Sequence, residues 1–195
     1  MNITGDIFSF LCSQDASRSF VIADRLLPFC QRCAGVYLGM ALSFLFLLVG
    51  RFHRKGLPPL SILCVNIAGL VIMPVFGFHI LDPGPAWRLW SGLVFGNAVA
   101  FLLLPAASII WNEGTTYGHH TKTSTILFWI LLAFLNATPF FFPIESPYCH
   151  AAVIILSLIG LLGVLVCVLA LMAFLVKKTL LSVILKGLGN ELEKN

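Results

Sequence analysis

Long apolar runs, separated by short polar stretches, dominate the hydrophobic pattern of this chain. A helix that crosses a membrane needs roughly 20 predominantly apolar residues. Five segments approach or exceed that length: about Gly35 to Gly50, Pro58 to Leu81, Leu89 to Trp111, Thr123 to Phe142 and Ala151 to Val176. The first is short unless it begins inside the preceding polar stretch. Pro74 predicts a kink in the second. Trp87, Trp90 and Trp111 bracket the third, where indole rings favour the membrane interface. After the fifth run, Leu180, Leu181, Ile184, Leu185 and Leu188 recur at helical spacing beside Lys177, Lys178 and Lys186. That pattern fits a short helix lying on an anionic membrane surface, or equally a frayed end of the fifth helix. The predicted fold is all-α, a polytopic transmembrane bundle of about five helices. Its expected parts are an N-terminal cysteine-containing segment (1–34), the bundle (35–176) and an amphipathic tail (177–195).

Composition strengthens the membrane reading. Of 195 residues, 59% are hydrophobic and 10% charged, whereas soluble domains carry about 25% charged residues. With a mean hydropathy of +0.98, little polar surface remains to face water, so the bilayer is the expected partner. A net charge of +4, dispersed along the chain, gives no case for nucleic acid. The basic residues act instead as topology markers. With five spans, Arg18, Arg25, Arg32 and Arg88 share one side, and the other eight Lys and Arg share the opposite side. The more basic side faces the cytoplasm. The expectation is a multi-pass protein of the plasma (inner) membrane, N-terminus outside and C-terminus cytoplasmic. The first residues lack a basic n-region and a long apolar run, so no cleavable signal peptide is expected.

Chemistry concentrates in LPFCQRCAGVYLG, residues 27–39. A Cys-x-x-Cys turn can direct two thiolates at one ion, and Zn²⁺ favours four soft ligands. Cys30 and Cys33 supply two. Cys12 lies in the same segment. In the five-helix arrangement Cys149, His150 and His79 fall on the same side as candidate fourth ligands. Two other readings stay open: a disulfide or redox pair, favoured by an oxidising compartment and by Arg32 beside the thiols, and two small residues packed at a helix entrance. Cys64 and Cys167 lie inside apolar runs, where a cysteine is a small hydrophobe.

A polar surface is expected around the same helix ends, from Arg18, Arg32, His79, Asp82 and Arg88, with anionic lipid headgroups as candidate ligands. Gly35 and Gly39 open the first helix as Gly92 and Gly96 open the third, a weak internal echo. Gly-x-x-x-Gly lets two helix backbones approach closely, so these four are assigned to helix packing. His119 and His120 read as a solvated loop. No membrane segment contains a carboxylate, which weakens a proton-coupled carrier. Walker, HExxH and GxSxG motifs are lacking, so no catalytic residue is assigned.

These residues also resemble a known family. The stretch from Cys12 to Gly39 is similar to the signature of an uncharacterised bacterial and archaeal membrane family, domain-of-unknown-function family 2085. That signature runs Cys-His-x-x-x-x-Arg-Ser-Phe and then Pro-x-Cys-x-Arg-Cys-Thr-Gly-x-Tyr-x-Gly. Cys12, Arg18, Ser19, Phe20, Pro28, Cys30, Arg32, Cys33, Gly35, Tyr37 and Gly39 match it. Pro74, Gly77, Arg88, Gly92 and Gly96 resemble a second block. Ser13 stands where the family usually has His, and Phe76 where it usually has Asp. If the family's Cys-His…Cys…Cys set binds metal, one ligand is lost here, and Cys149 or His150 is a candidate replacement. The resemblance implies the architecture and no established activity. Two alternatives to a zinc-site membrane protein remain: a membrane thiol–disulfide oxidoreductase using Cys30 and Cys33, and a small transporter or channel. Oligomeric state and protein partners are left open.

Overall fold

The computed structural model describes Phe8, Cys12, residues 14–51, 59–77, 84–111 and 147–192, with isolated helical positions at 126, 127, 130, 134 and 137. The remaining residues, among them His79, Asp82, His119 and His120, lie outside this description. Four long helices carry most of it: α1 (Gln31–Val49), α2 (Leu60–Gly77), α3 (Pro85–Trp111) and α4 (Pro147–Leu192). α1, α3 and the first part of α4 are long and apolar enough to cross a membrane, and α2 is a shorter apolar helix. The expected fourth span, 123–142, falls almost wholly outside the described residues.

The fold is mostly helical, with one addition that the apolar pattern did not predict. Ahead of α1, β1 (Ser19–Ile22) and β2 (Arg25–Cys30) form an antiparallel hairpin in which Ser19 pairs with Cys30 and Ile22 with Arg25. Both residues of its turn have positive φ, 51° at Ala23 and 60° at Asp24. This is the backbone of a type I′ turn, whose twist matches that of the flanking strands. Leu27 and Phe29 point to the core, where Phe29 lies 4.7 Å from Phe8 and 5.7 Å from Tyr37 between ring centroids. β2 runs straight into α1, so the first helix begins at Gln31, four residues ahead of the expected Gly35.

α1 and α3 form a two-fold seam. A methyl group at Gly35 would strike the Leu89 carbonyl oxygen and come within 2.8 Å of Leu93 N. At Gly92 it would strike the Arg32 carbonyl oxygen and come within 2.9 Å of Val36 N. One turn on, Gly39 faces Leu93 and Asn97 while Gly96 faces Val36 and Met40. Each contact reappears with the two helices exchanged, in a register of 57 residues, the separation that also joins Gln31 to Arg88 by a hydrogen bond. Four positions without a side chain allow backbone-to-backbone packing, the geometry of parallel Gly-x-x-x-Gly pairs.

α4 docks in the same direction. A methyl group at Gly160 would strike the Tyr37 carbonyl oxygen and come within 3.0 Å of Ala41 N, and one at Gly163 would strike the Phe44 ring. α2 runs the other way along α3, with Ile62 packed near Phe101 and Gly69 against Val94. The tail differs from the separate surface helix that was one expectation. α4 continues unbroken from Pro147 to Leu192, with no Pro after its first residue and no Gly from 164 to 186 to break it at the lysines. At 1.5 Å per residue its 46 residues extend about 69 Å, over twice the hydrocarbon thickness.

Candidate metal centre

Cys30 is the last residue of β2 and the N-cap of α1, and Cys33 lies in that helix's first turn. A Cys-x-x-Cys at a strand-to-helix junction points both thiols to one side. Cys12 is brought to them by the segment before the hairpin. Its N–H donates to Phe8 O at 2.9 Å, an i to i+4 contact, while the Phe8 ring anchors among Phe29 and Tyr37. Two further bonds fix the segment along β2: Cys30 N donates to Cys12 Sγ at 3.2 Å, and Gln14 Nε2 donates to Pro28 O at 3.0 Å. As a result the sulfurs of Cys12, Cys30 and Cys33 lie within 4.8 Å of one another. Cys12 is buried and the other two are half-buried.

The electrostatics favour one thiolate in this cluster. The Cys33 thiol donates to the Cys30 sulfur and lowers the Cys30 pKa to about 5. Burial opposes the shift, and the Cys33 N–H and the Cys12 thiol assist it. A sulfur held as thiolate by its neighbours is the species that a soft metal ion or a disulfide would take. Three thiols at this spacing are most of a tetrahedral donor set.

Cys149 and His150 sit in the first turn of α4. Neither joins the three sulfurs within that radius. Cys149 packs half-buried against the apolar cluster that contains Cys12, Cys30 and Cys33. His150 Nε2 is buried and has no hydrogen-bond partner among the described residues. Cys64 is exposed on α2 and Cys167 is buried in α4.

The expected polar surface is divided. Arg18 pairs with Asp15 at 3.5 Å on the exposed side of the hairpin. Asp15 also caps the 3-10 turn Ala16–Arg18, accepting from Ser17 N at 3.0 Å and Ser17 Oγ at 2.7 Å. The bond from the Ser17 hydroxyl is the largest cause of its lowered pKa, and the Arg88 charge reaches it too. Arg88 Nη1 donates to Gln31 Oε1 at 3.2 Å, tying the first turn of α3 to that of α1 beside Cys30. His79 and Asp82 are outside the described residues.

Gln31, Gly160 and Phe8 escaped the sequence reading. Gln31 is a buried amide at a helix start, and its role as acceptor for Arg88 has no local signal. Gly160 sits in an apolar run in which Ser157 is the nearest polar side chain.

Residues 12–102 match the family model described as Predicted membrane protein (DUF2085). No curated protein and no solved structure matches the chain.

Proposed function

We propose that this chain, whose residues 12–102 match the model of a family of predicted membrane proteins, is a multi-pass integral membrane protein with a zinc–thiolate site that fastens its N-terminal hairpin to the bundle. The clustering of Cys12, Cys30 and Cys33 within 4.8 Å carries this reading. The three come from the pre-hairpin segment, the end of β2 and the first turn of α1. An ion held by all three would cross-link elements already brought together by the Cys30–Cys12 and Gln14–Pro28 hydrogen bonds and the Phe8, Phe29 and Tyr37 ring contacts, and its binding energy would add to folding energy.

Helix directions support five crossings with both termini on opposite sides. α1, α3 and α4 run parallel, so the chain must return between each pair. α2 is the first return, and its 18 residues extend about 27 Å, close to the hydrocarbon thickness. The 35 residues from 112 to 146 are long enough for the second. The distribution of Lys and Arg then favours an N-terminus and cysteines on the outer side.

The test is elemental analysis of the full chain purified in detergent, with thiols titrated in parallel. About one zinc per chain, lost in Cys30→Ser/Cys33→Ser, is the expected result. A disulfide, which lowers the mass by about two hydrogens, with no metal, would replace this reading by a thiol–disulfide one. The lowered Cys30 pKa and the adjacent Cys33 favour that second reading.

A further inference from the structure

We infer that His150 is the fourth ligand, closing the three cysteines into a Cys3His site and thereby coupling α4 to the hairpin. The inference rests on the zinc–thiolate reading above.

Zinc held structurally takes four protein ligands. Among the described residues only three Cys, His, Asp or Glu side chains share the 4.8 Å cluster, so a fourth ligand would come from outside that cluster. α4 is the element in position. It runs parallel to α1, with Gly160 opposite Tyr37 and Ala41. Ten residues back along α4 is about 15 Å. The same step back from the middle of that α1 contact reaches the level of Cys30. His150 therefore stands level with the cysteines, and α4 touches both strands of the hairpin.

The choice between Cys149 and His150 follows from what each requires. Cys149 lies 11 residues before Gly160, about three full turns, so it shares the face that α4 presents to α1. It packs there half-buried in the apolar cluster, where a thiol needs no polar partner. His150 differs. Its Nε2 is buried without a partner among the described residues, and leaving a buried polar atom unsatisfied is costly. A metal ion would satisfy that nitrogen. Because Nε2 stands outside the present cluster, ion binding would draw the first turn of α4 onto the hairpin. The bundle's third parallel helix would then be fixed at the same point as the first.

Cobalt(II) tests this, since it occupies zinc sites and reports its ligands by absorption. The full chain, stripped of metal in detergent, is titrated with Co²⁺ and then competed with Zn²⁺. Wild type should show strong tetrahedral ligand-field bands together with sulfur-to-cobalt charge transfer. His150→Ala should keep the charge transfer, lose intensity in the ligand-field bands, and bind zinc more weakly by at least about 10–100-fold, the loss that even an outer-shell partner causes. His150→Cys should regain the tetrahedral bands with added charge transfer. Cys149→Ala should behave as wild type. An unchanged spectrum and affinity in His150→Ala, with both lost in Cys30→Ser, would overturn the His150 assignment and leave the cysteine site standing. No Co²⁺ or Zn²⁺ bound by wild type would overturn both.

Discussion

The backbone N–H of Cys30 points at the sulfur of Cys12, 3.2 Å away across 18 residues of chain. This bond and the aromatic anchor at Phe8 hold Cys12 in place without any ion, so little ordering is left for metal binding to impose. Cys12→Ala should therefore reduce zinc content from about one per chain to background, although the residue lies outside the Cys-x-x-Cys pair. Cys64→Ala and Cys167→Ala should retain the metal. Elemental analysis of the three variants decides the matter. A Cys12→Ala protein with undiminished zinc would remove Cys12 from the site.

The seam between α1 and α3 is intolerant of even one methyl group. At Gly92 the new carbon would meet the Arg32 carbonyl oxygen, which is backbone and cannot rotate away. Gly92→Ala should lower stability by about 1–3 kcal/mol, the usual cost of overpacking. Gly35→Ala should behave alike, because its contact is the same one with the helices exchanged. Leu45→Ala, at an exposed position of α1, should change little. Thermal unfolding in detergent, followed by exposure of buried cysteines, measures the difference.

Apolar run length made α1, α2, α3 and α4 legible, because lipid-facing helices need no polar stripe. Their ends were less so. Gln31, Arg32 and Cys33 look like loop by polarity, yet β2 passes directly into α1 and they form its first turn. At the other end, Lys177 and Lys178 suggested a boundary at the membrane surface, and the helix continues through them because charge does not break a helix. The hairpin was hidden because its turn is Ala23-Asp24, without the Gly or Asn that announces a type I′ turn. The pairing of Gly35 and Gly39 with Gly92 and Gly96 was visible as an echo in spacing. That each glycine meets the other helix's carbonyl could come only from three dimensions. Likewise Cys30 and Cys33 were visible as a motif, whereas the approach of Cys12 depends on Phe8 and on the hairpin register.

The hairpin turn stores strain that a substitution can relieve. Ala23 holds φ at 51°, in the left-handed region that costs an L-residue with a Cβ roughly 1–2 kcal/mol. Asn tolerates that conformation, and Gly does so without steric cost. Ala23→Asn should raise the thermal midpoint and Ala23→Gly should do so less, since glycine also loosens the unfolded chain. The gain should be no more than that cost, on the order of 1 kcal/mol. No gain from either would show that the turn is not under strain.

Acid should reveal the Cys30 thiolate in protein stripped of metal. The thiol ordinarily titrates near 9.0 and is lowered here to about 5, chiefly by the Cys33 thiol donating to it. Alkylation by iodoacetamide follows the thiolate fraction. Cys30 labelling should therefore be nearly independent of pH above about 6, and should fall roughly tenfold per unit below 5. Replacing the donor, in Cys33→Ala, should move the midpoint up toward the ordinary value. The sign for stability follows from the same shift. A folded-state value below the unfolded one stabilises the metal-free fold above pH 9, and that contribution declines as pH falls from 9 and is gone below about 5. Wild type and Cys30→Ala should accordingly differ in thermal midpoint at pH 9 more than at pH 5. A Cys30 labelling midpoint near 9 would mean that the Cys33 donor is not engaged. In that case neither the metal nor the disulfide chemistry at this turn would start from a preformed thiolate.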